Sequence, residues 1–225
     1  MGFVAGMAKV AGGVAVGVGL LVGCGAPGED PAPAGAGATP TPAATATATA
    51  SGAADAEAVR LGAAELQGRW WSWAATEPER TNPVADPDGT MCGRNQPQDV
   101  WFLAGTFGGR TERACDVPGD RPIAFPLVNS TGTAADCVDF MKGAKGTATL
   151  DGQAVPPERR TGDAIKVRTA RGNAVTGAAG RLNATGCGLW VQLPPLAPGK
   201  HTLVIRGEAA DFSTGVDYTL TVKAA

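Results

Sequence analysis

The chain has 225 residues, among them 33 Gly, 17 Pro, five Cys and one His. Nineteen basic residues against twenty-one acidic ones leave a net charge of -2. That balance argues against a nucleic-acid-binding protein, which needs a basic face to displace counterions from phosphates. A single His excludes a multi-histidine metal site within one chain.

Residues 1–23 hold one charge, Lys9, followed by the apolar run Val10 to Gly23. The run has the length of a signal-peptide core and is too short to cross a bilayer comfortably. It ends in Leu21-Val22-Gly23-Cys24, which resembles the lipobox of bacterial lipoproteins. The resemblance implies a diacylglycerol on the Cys24 thiol and cleavage just before it. Met7 is an alternative start that leaves a shorter, workable signal. Residues 25–55 contain twelve Ala and five each of Pro, Thr and Gly, with no aromatic or large aliphatic residue. Such a segment has nothing with which to build a core and reads as a disordered tether. A random chain of that length spans ~30 Å on average. The expected organisation is a signal peptide over 1–23, lipidated Cys24 with its tether over 24–55, and one folded domain over 56–225. Localisation follows as extracytoplasmic, held to the cell membrane by an N-terminal lipid.

The domain carries eighteen charges of each sign. Its first periodic segment, Ala63 to Thr76, places Leu66, Trp70, Trp73 and Ala74 on one helical stripe. Trp71 lies about 100° from Trp70 on that helix. Turns follow at Asn82-Pro83 and Asp86-Pro87-Asp88-Gly89. Val100 to Ala104 is a short continuous apolar run, which predicts a central strand buried on both faces. Gly105 to Gly109 supplies a turn, after which Thr111–Val117 and Ile123–Asn129 read as strands. A short helix is expected over Ala135–Met141. Further strands are predicted at Thr147–Leu150, Ala164–Thr169, Leu189–Leu193, His201–Arg206 and Val216–Val222, and a long loop over 170–186. About eight short strands between Gly/Pro turns predict a mainly β domain. The expected architecture is an antiparallel β-sandwich with an N-terminal amphipathic helix and one further short helix.

Setting Cys24 aside leaves Cys92, Cys115, Cys137 and Cys187, an even number with three possible pairings. A hairpin of 99–104 with 110–117, centred on Phe107, would set Cys115 opposite Asp99, seven residues after Cys92. That favours Cys92–Cys115 and, by elimination, Cys137–Cys187. No two of these cysteines have the close spacing of a zinc knuckle, so no metal and no cofactor is expected.

One stretch has a distinctive pattern: Trp70-Trp71-x-Trp73, Asn82-Pro83-Val84-x-Asp86, Gly89, Cys92, Gln96, Val100 to Gly105, Gly108-Gly109, Arg113, Cys115, Val117-Pro118 and Phe125-Pro126. Over residues 66–129 it resembles a family of uncharacterised exported bacterial proteins. The resemblance implies no catalytic or binding residue. Leu196 to Leu203 resembles a hairpin of bacterial immunoglobulin-like modules, which implies fold only.

Chemistry has few candidates. Ser51, Ser72, Ser130 and Ser213 lie outside any Gly-x-Ser-x-Gly elbow. His201 shares strand parity with Leu203 and Ile205, so it reads as a strand-end residue partly packed on the core. Asp86, Asp88, Asp99 and Glu112 lie near aromatic residues and are the acids that a carboxylate-based hydrolase would use. Asp86 to Thr90 fits an Asx-turn better than an EF-hand loop, because the EF-hand Gly and twelfth-position acid are missing, and calcium in a mixed loop near Asp86 is the alternative. Trp71 and Trp190 are the tryptophans placed off the apolar stripes, and hence the candidate ligand-binding aromatics. The reading that follows is a non-catalytic envelope module binding a glycan or a surface protein. Its alternatives are a hydrolase of envelope polymers and a purely structural envelope lipoprotein.

Overall fold

The computed structural model describes residues 60–224. The expected signal peptide, Cys24 and the tether lie outside the described residues. The described residues begin with α1 (Ala63–Ala74) and a 3-10 turn at Glu79–Thr81. Nine strands and one more helix follow. They are β1 (Trp101–Phe102), β2 (Gly109–Pro118), β3 (Ile123–Gly132), α2 (Ala134–Gly143), β4 (Lys145–Leu150) and β5 (Gln153–Ala154). Then come β6 (Glu158–Thr169), β7 (Gly180–Leu193), β8 (Gly199–Ala209) and β9 (Phe212–Lys223).

The strands form two sheets, a four-stranded one ordered β1-β3-β7-β6 and a five-stranded one ordered β2-β9-β8-β4-β5. Mainly β with two helices is therefore correct, but the sheets are mixed. β1 runs parallel to β3 and β2 runs parallel to β9, while the remaining pairs are antiparallel. The main core lies between the sheets, where Leu103, Phe125, Leu127, Leu203, Ile205 and Leu220 meet. β9 shows the period of two that builds such a face: Val216, Tyr218, Leu220 and Val222 are buried, and Asp217 and Thr219 are not.

A second core lies on the outer side of the four-stranded sheet. The α1 stripe of Leu66, Trp70, Trp73 and Ala74 packs there against Phe102, Ala124 and Trp190. β3 is consequently sandwiched between α1 and the five-stranded sheet and is buried from Ile123 to Val128. The indole N–H groups of Trp70 and Trp73 donate to the carbonyls of Leu103 and Arg94 at 2.9 and 2.8 Å. α2 starts with a capping box between Thr133 and Asp136 and tucks Cys137 and Met141 into the main core.

Three expectations change. The hairpin centred on Phe107 does not form, because β1 pairs with β3 and β2 with β9. The Val100–Ala104 run is buried on both faces but contributes an edge strand rather than a central one. Its free edge is closed by Gln96, whose side-chain amide accepts from the Phe102 N–H and donates to the Phe102 carbonyl, both at 2.8 Å. Lastly, the predicted loop over 170–186 ends at Ala179, since β7 already starts at Gly180 and pairs Arg181 through Gly186 with β6.

Candidate functional site

Both disulfides join the predicted partners, Cys92 to Cys115 and Cys137 to Cys187, with Cα–Cα separations of 6.0 and 5.8 Å. The first ties the 86–92 loop to β2 rather than closing a hairpin. Around it sits a polar knot that accounts for much of the sequence pattern. Asn82 donates to the Ala74 and Glu77 carbonyls and accepts from the Val84 N–H. The Asp86 carboxylate accepts the N–H groups of Asp88, Gly89 and Met91 at 3.3, 3.1 and 2.9 Å. This is the Asx-turn expected from the sequence. Gly89 has φ +100, and a Cβ there would overlap the Ala114 backbone, so the loop requires glycine.

Arg113 fills the centre of this knot and is 3 % exposed. Its guanidinium donates to the carbonyls of Val84, Asp86, Ala104 and Gly105 and to the Tyr218 hydroxyl, at 2.7 to 3.1 Å. Five acceptors with nearly full partial charge solvate the cation in place of water. Burial in turn raises the Tyr218 phenol above its ordinary range, with the nearby Arg113 charge opposing. The residue positions the loop and offers no free group for chemistry. Its role was not legible from sequence, where only its place in the pattern stood out.

Asp86, Asp88 and Asp99 are bonded within the scaffold, and Glu112 lies exposed on β2. Asp99 pairs with Arg69, whose hydrogen bond lowers the carboxyl below its ordinary range. Asp88 accepts from Thr90 and is lowered by that bond. A general acid for glycoside hydrolysis needs a raised carboxyl, and both of these move the other way. Glu77, missed in the sequence, is buried with Arg94, Asn95 and Thr81 around it and joins the same scaffold. Among the described residues no three His, Cys, Asp or Glu side chains converge as a metal site would require.

His201 sits at the start of β8 and is partly packed, as its strand parity implied. Its Nδ1 lies 2.7 Å from an Asp151 carboxylate oxygen and its Nε2 lies 2.8 Å from the Ala197 carbonyl. Both ring nitrogens are therefore committed to acceptors, and no serine hydroxyl is among their partners. The serine nearest to a scaffold role, Ser72, bonds the Gly68 carbonyl and the Arg168 N–H.

The two candidate tryptophans separate. Trp190 is 1 % exposed, with its ring packed edge-on against Trp70 at 5.7 Å. It lies on the face of β7 that α1 covers, so it is withdrawn as a ligand contact. Trp71 is half-buried and stands T-shaped to Trp70 at 5.2 Å. It borders a shallow recess of about 70 Å³, together with Thr106, Phe107, Asn129, Phe212 and Thr214. Among the described residues, Phe107 is one of two exposed large apolar side chains, at 39 %. Enclosed small-molecule sites span roughly 300–1,000 Å³, so this recess admits a substituent rather than a whole cofactor. Trp71 and Phe107 make it the best aromatic contact surface among the described residues. Comparison with protein-family models, curated proteins and solved structures finds no match.

Proposed function

We propose that the chain is an exported lipoprotein, anchored through Cys24, whose disulfide-stapled domain is a non-catalytic binding module of the cell envelope. The observation that carries this is the cysteine arrangement. The four domain cysteines join in two disulfides, which persist in oxidising, extracytoplasmic surroundings. That leaves Cys24 as the odd thiol, directly behind a signal-length apolar run. The binding role is supported by the half-buried Trp71 beside Phe107, an aromatic surface of the kind that stacks on sugar rings. The lowered carboxyls of Asp88 and Asp99 favour binding over acid-catalysed hydrolysis.

Membrane fractionation of Cys24→Ala tests the anchor. Release of the variant into the soluble fraction at high salt is expected, and full retention in the membrane under that condition would sink the reading. Co-sedimentation of residues 55–225 with purified cell wall tests the ligand half. Saturable pelleting weakened roughly tenfold or more by Trp71→Ala is expected for a hot-spot aromatic. Pelleting unaffected by that substitution would remove Trp71 from the surface.

A further inference from the structure

The outer halves of β6 and β7 form a hairpin with unbalanced charge. From Ala164 to Gly186 the chain contains Lys166, Arg168, Arg171 and Arg181 and no Asp or Glu. The register sets Lys166 opposite Asn183 and Arg168 opposite Arg181, and directly opposed residues share one face of a sheet. The other face is occupied, since Ile165, Val167, Leu182 and Ala184 pack toward Ala75 and Trp71. Lys166, Arg168, Arg181 and Asn183 are all exposed. Arg69, Arg94 and Arg206 each hold a carboxylate. Among the described residues, no ion pair involves Lys166, Arg168, Arg171 or Arg181. Of the acids of α2, which lies on the same side of β7 through Cys137–Cys187, Asp139 pairs with Lys142, and Asp136 accepts from Thr133 in the capping box without an ion-pair partner among the described residues.

Two guanidiniums placed directly opposite each other repel, and an anionic surface against that face relieves the repulsion. The cations lie along a two-stranded ribbon at steps of roughly 7 Å, instead of converging on one pocket. That layout matches a plane of headgroups better than a single anion. The turn at the tip is fixed by Asn173, whose side chain bonds Ala170, Val175, Thr176 and Ala178, so Arg171 is held at the end of the ribbon. We propose that the Lys166–Arg168–Arg181 face docks the domain onto an anionic phospholipid membrane. The geometry rests on the anchored reading above. On that reading the domain stays within reach of the bilayer through the segment that joins it to Cys24, and weak charge attraction suffices.

The test uses residues 55–225, which contain both cores and both disulfides and carry no lipid. Sedimentation with vesicles of roughly one-third phosphatidylglycerol in phosphatidylcholine should pellet the domain at low salt and release it at high salt. Lys166→Gln/Arg181→Gln should bind ~25-fold more weakly, at about fivefold per cation. The matched Lys145→Gln/Lys223→Gln variant, on the five-stranded sheet, should bind as the parent does. Neutral substitutions at exposed positions keep the fold, which an unchanged melting curve will verify. Equal pelleting with pure phosphatidylcholine, no pelleting with anionic vesicles, or parental binding by the first variant would each overturn the proposal. So would capture by soluble polyglutamate with vesicles ignored. Vesicle binding by the domain alongside membrane retention of Cys24→Ala through a high-salt wash, which removes charge-held protein, would overturn the anchor and leave this surface standing.

Discussion

At the scale of single residues, two buried or bridged cations set measurable behaviour. His201 faces an acceptor at each ring nitrogen, so only the imidazolium satisfies Asp151 and Ala197 together. The Asp151 bond, then the Ala197 carbonyl, raise its affinity for protons above the ordinary value of 6.5. A raised folded value means this stabilisation is complete below the unfolded value and is lost as pH rises through the folded one. Asp151 is lowered, by His201 first, so its share is present above the ordinary 3.8 and is lost on acidification through its folded value. Thermal melts should therefore show a stability step beginning above about pH 6.5. His201→Gln should remove that step, and because the chain has one His, no other imidazole competes. Arg113 is the larger effect. Arg113→Met leaves the carbonyls of Val84, Asp86 and Gly105 buried without this donor, while Ala104 and Tyr218 keep the bonds they make to each other. Urea denaturation should show at least ~3 kcal/mol lost, given ~1.5–3 kcal/mol for each hydrogen bond to a charged group.

At the scale of elements, side chains stand in for strands where the sheet runs out. Gln96 completes the edge of β1 as a neighbouring backbone would, and its third bond reaches the Cys92 carbonyl. Gln96→Ala should cost about 2–3 kcal/mol for bonds of this kind. The same variant should accelerate hydrogen exchange selectively at the Phe102 amide. Gly207 marks the other special contact. A Cβ there would strike the Leu127 carbonyl, so glycine lets β8 of one sheet approach β3 of the other. The approach falls at Leu127, where the register of β3 with β7 shifts between Pro126 and Val128.

At the scale of the molecule, the two parallel pairings close the domain. β2 pairs with β9 from Gly109 opposite Thr214 to Pro118 opposite Lys223, so an early strand and the last one complete each other's hydrogen bonds. Such non-local pairing is entropically expensive in the unfolded chain, and the disulfides reduce that cost. Cys137–Cys187 closes 50 residues and Cys92–Cys115 closes 23. Chain-entropy arithmetic assigns them about 4 and about 3 kcal/mol. Cys137→Ala/Cys187→Ala should therefore lower the urea midpoint more than Cys92→Ala/Cys115→Ala.

What the sequence by itself determined follows from local signals. The α1 stripe, the β9 alternation and eight of the nine strand positions among the described residues are readable because burial on one face imposes a period of 3.6 or 2. The alternation in Arg181-Leu182-Asn183-Ala184-Thr185 was present too, hidden by the Gly and Ala around it. The disulfide partners came out correctly although the hairpin used to pair them does not exist. The tertiary structure alone decided which strands are neighbours, because hydrogen bonding between strands carries no mark of the partner in either sequence. It also decided that Trp190 is covered by α1 while Trp71 reaches the recess. Most of the quoted pattern residues became visible as a scaffold around Arg113 in the same way. A guanidinium finds its five acceptors from segments up to 105 residues away, and only the folded chain brings them to one point.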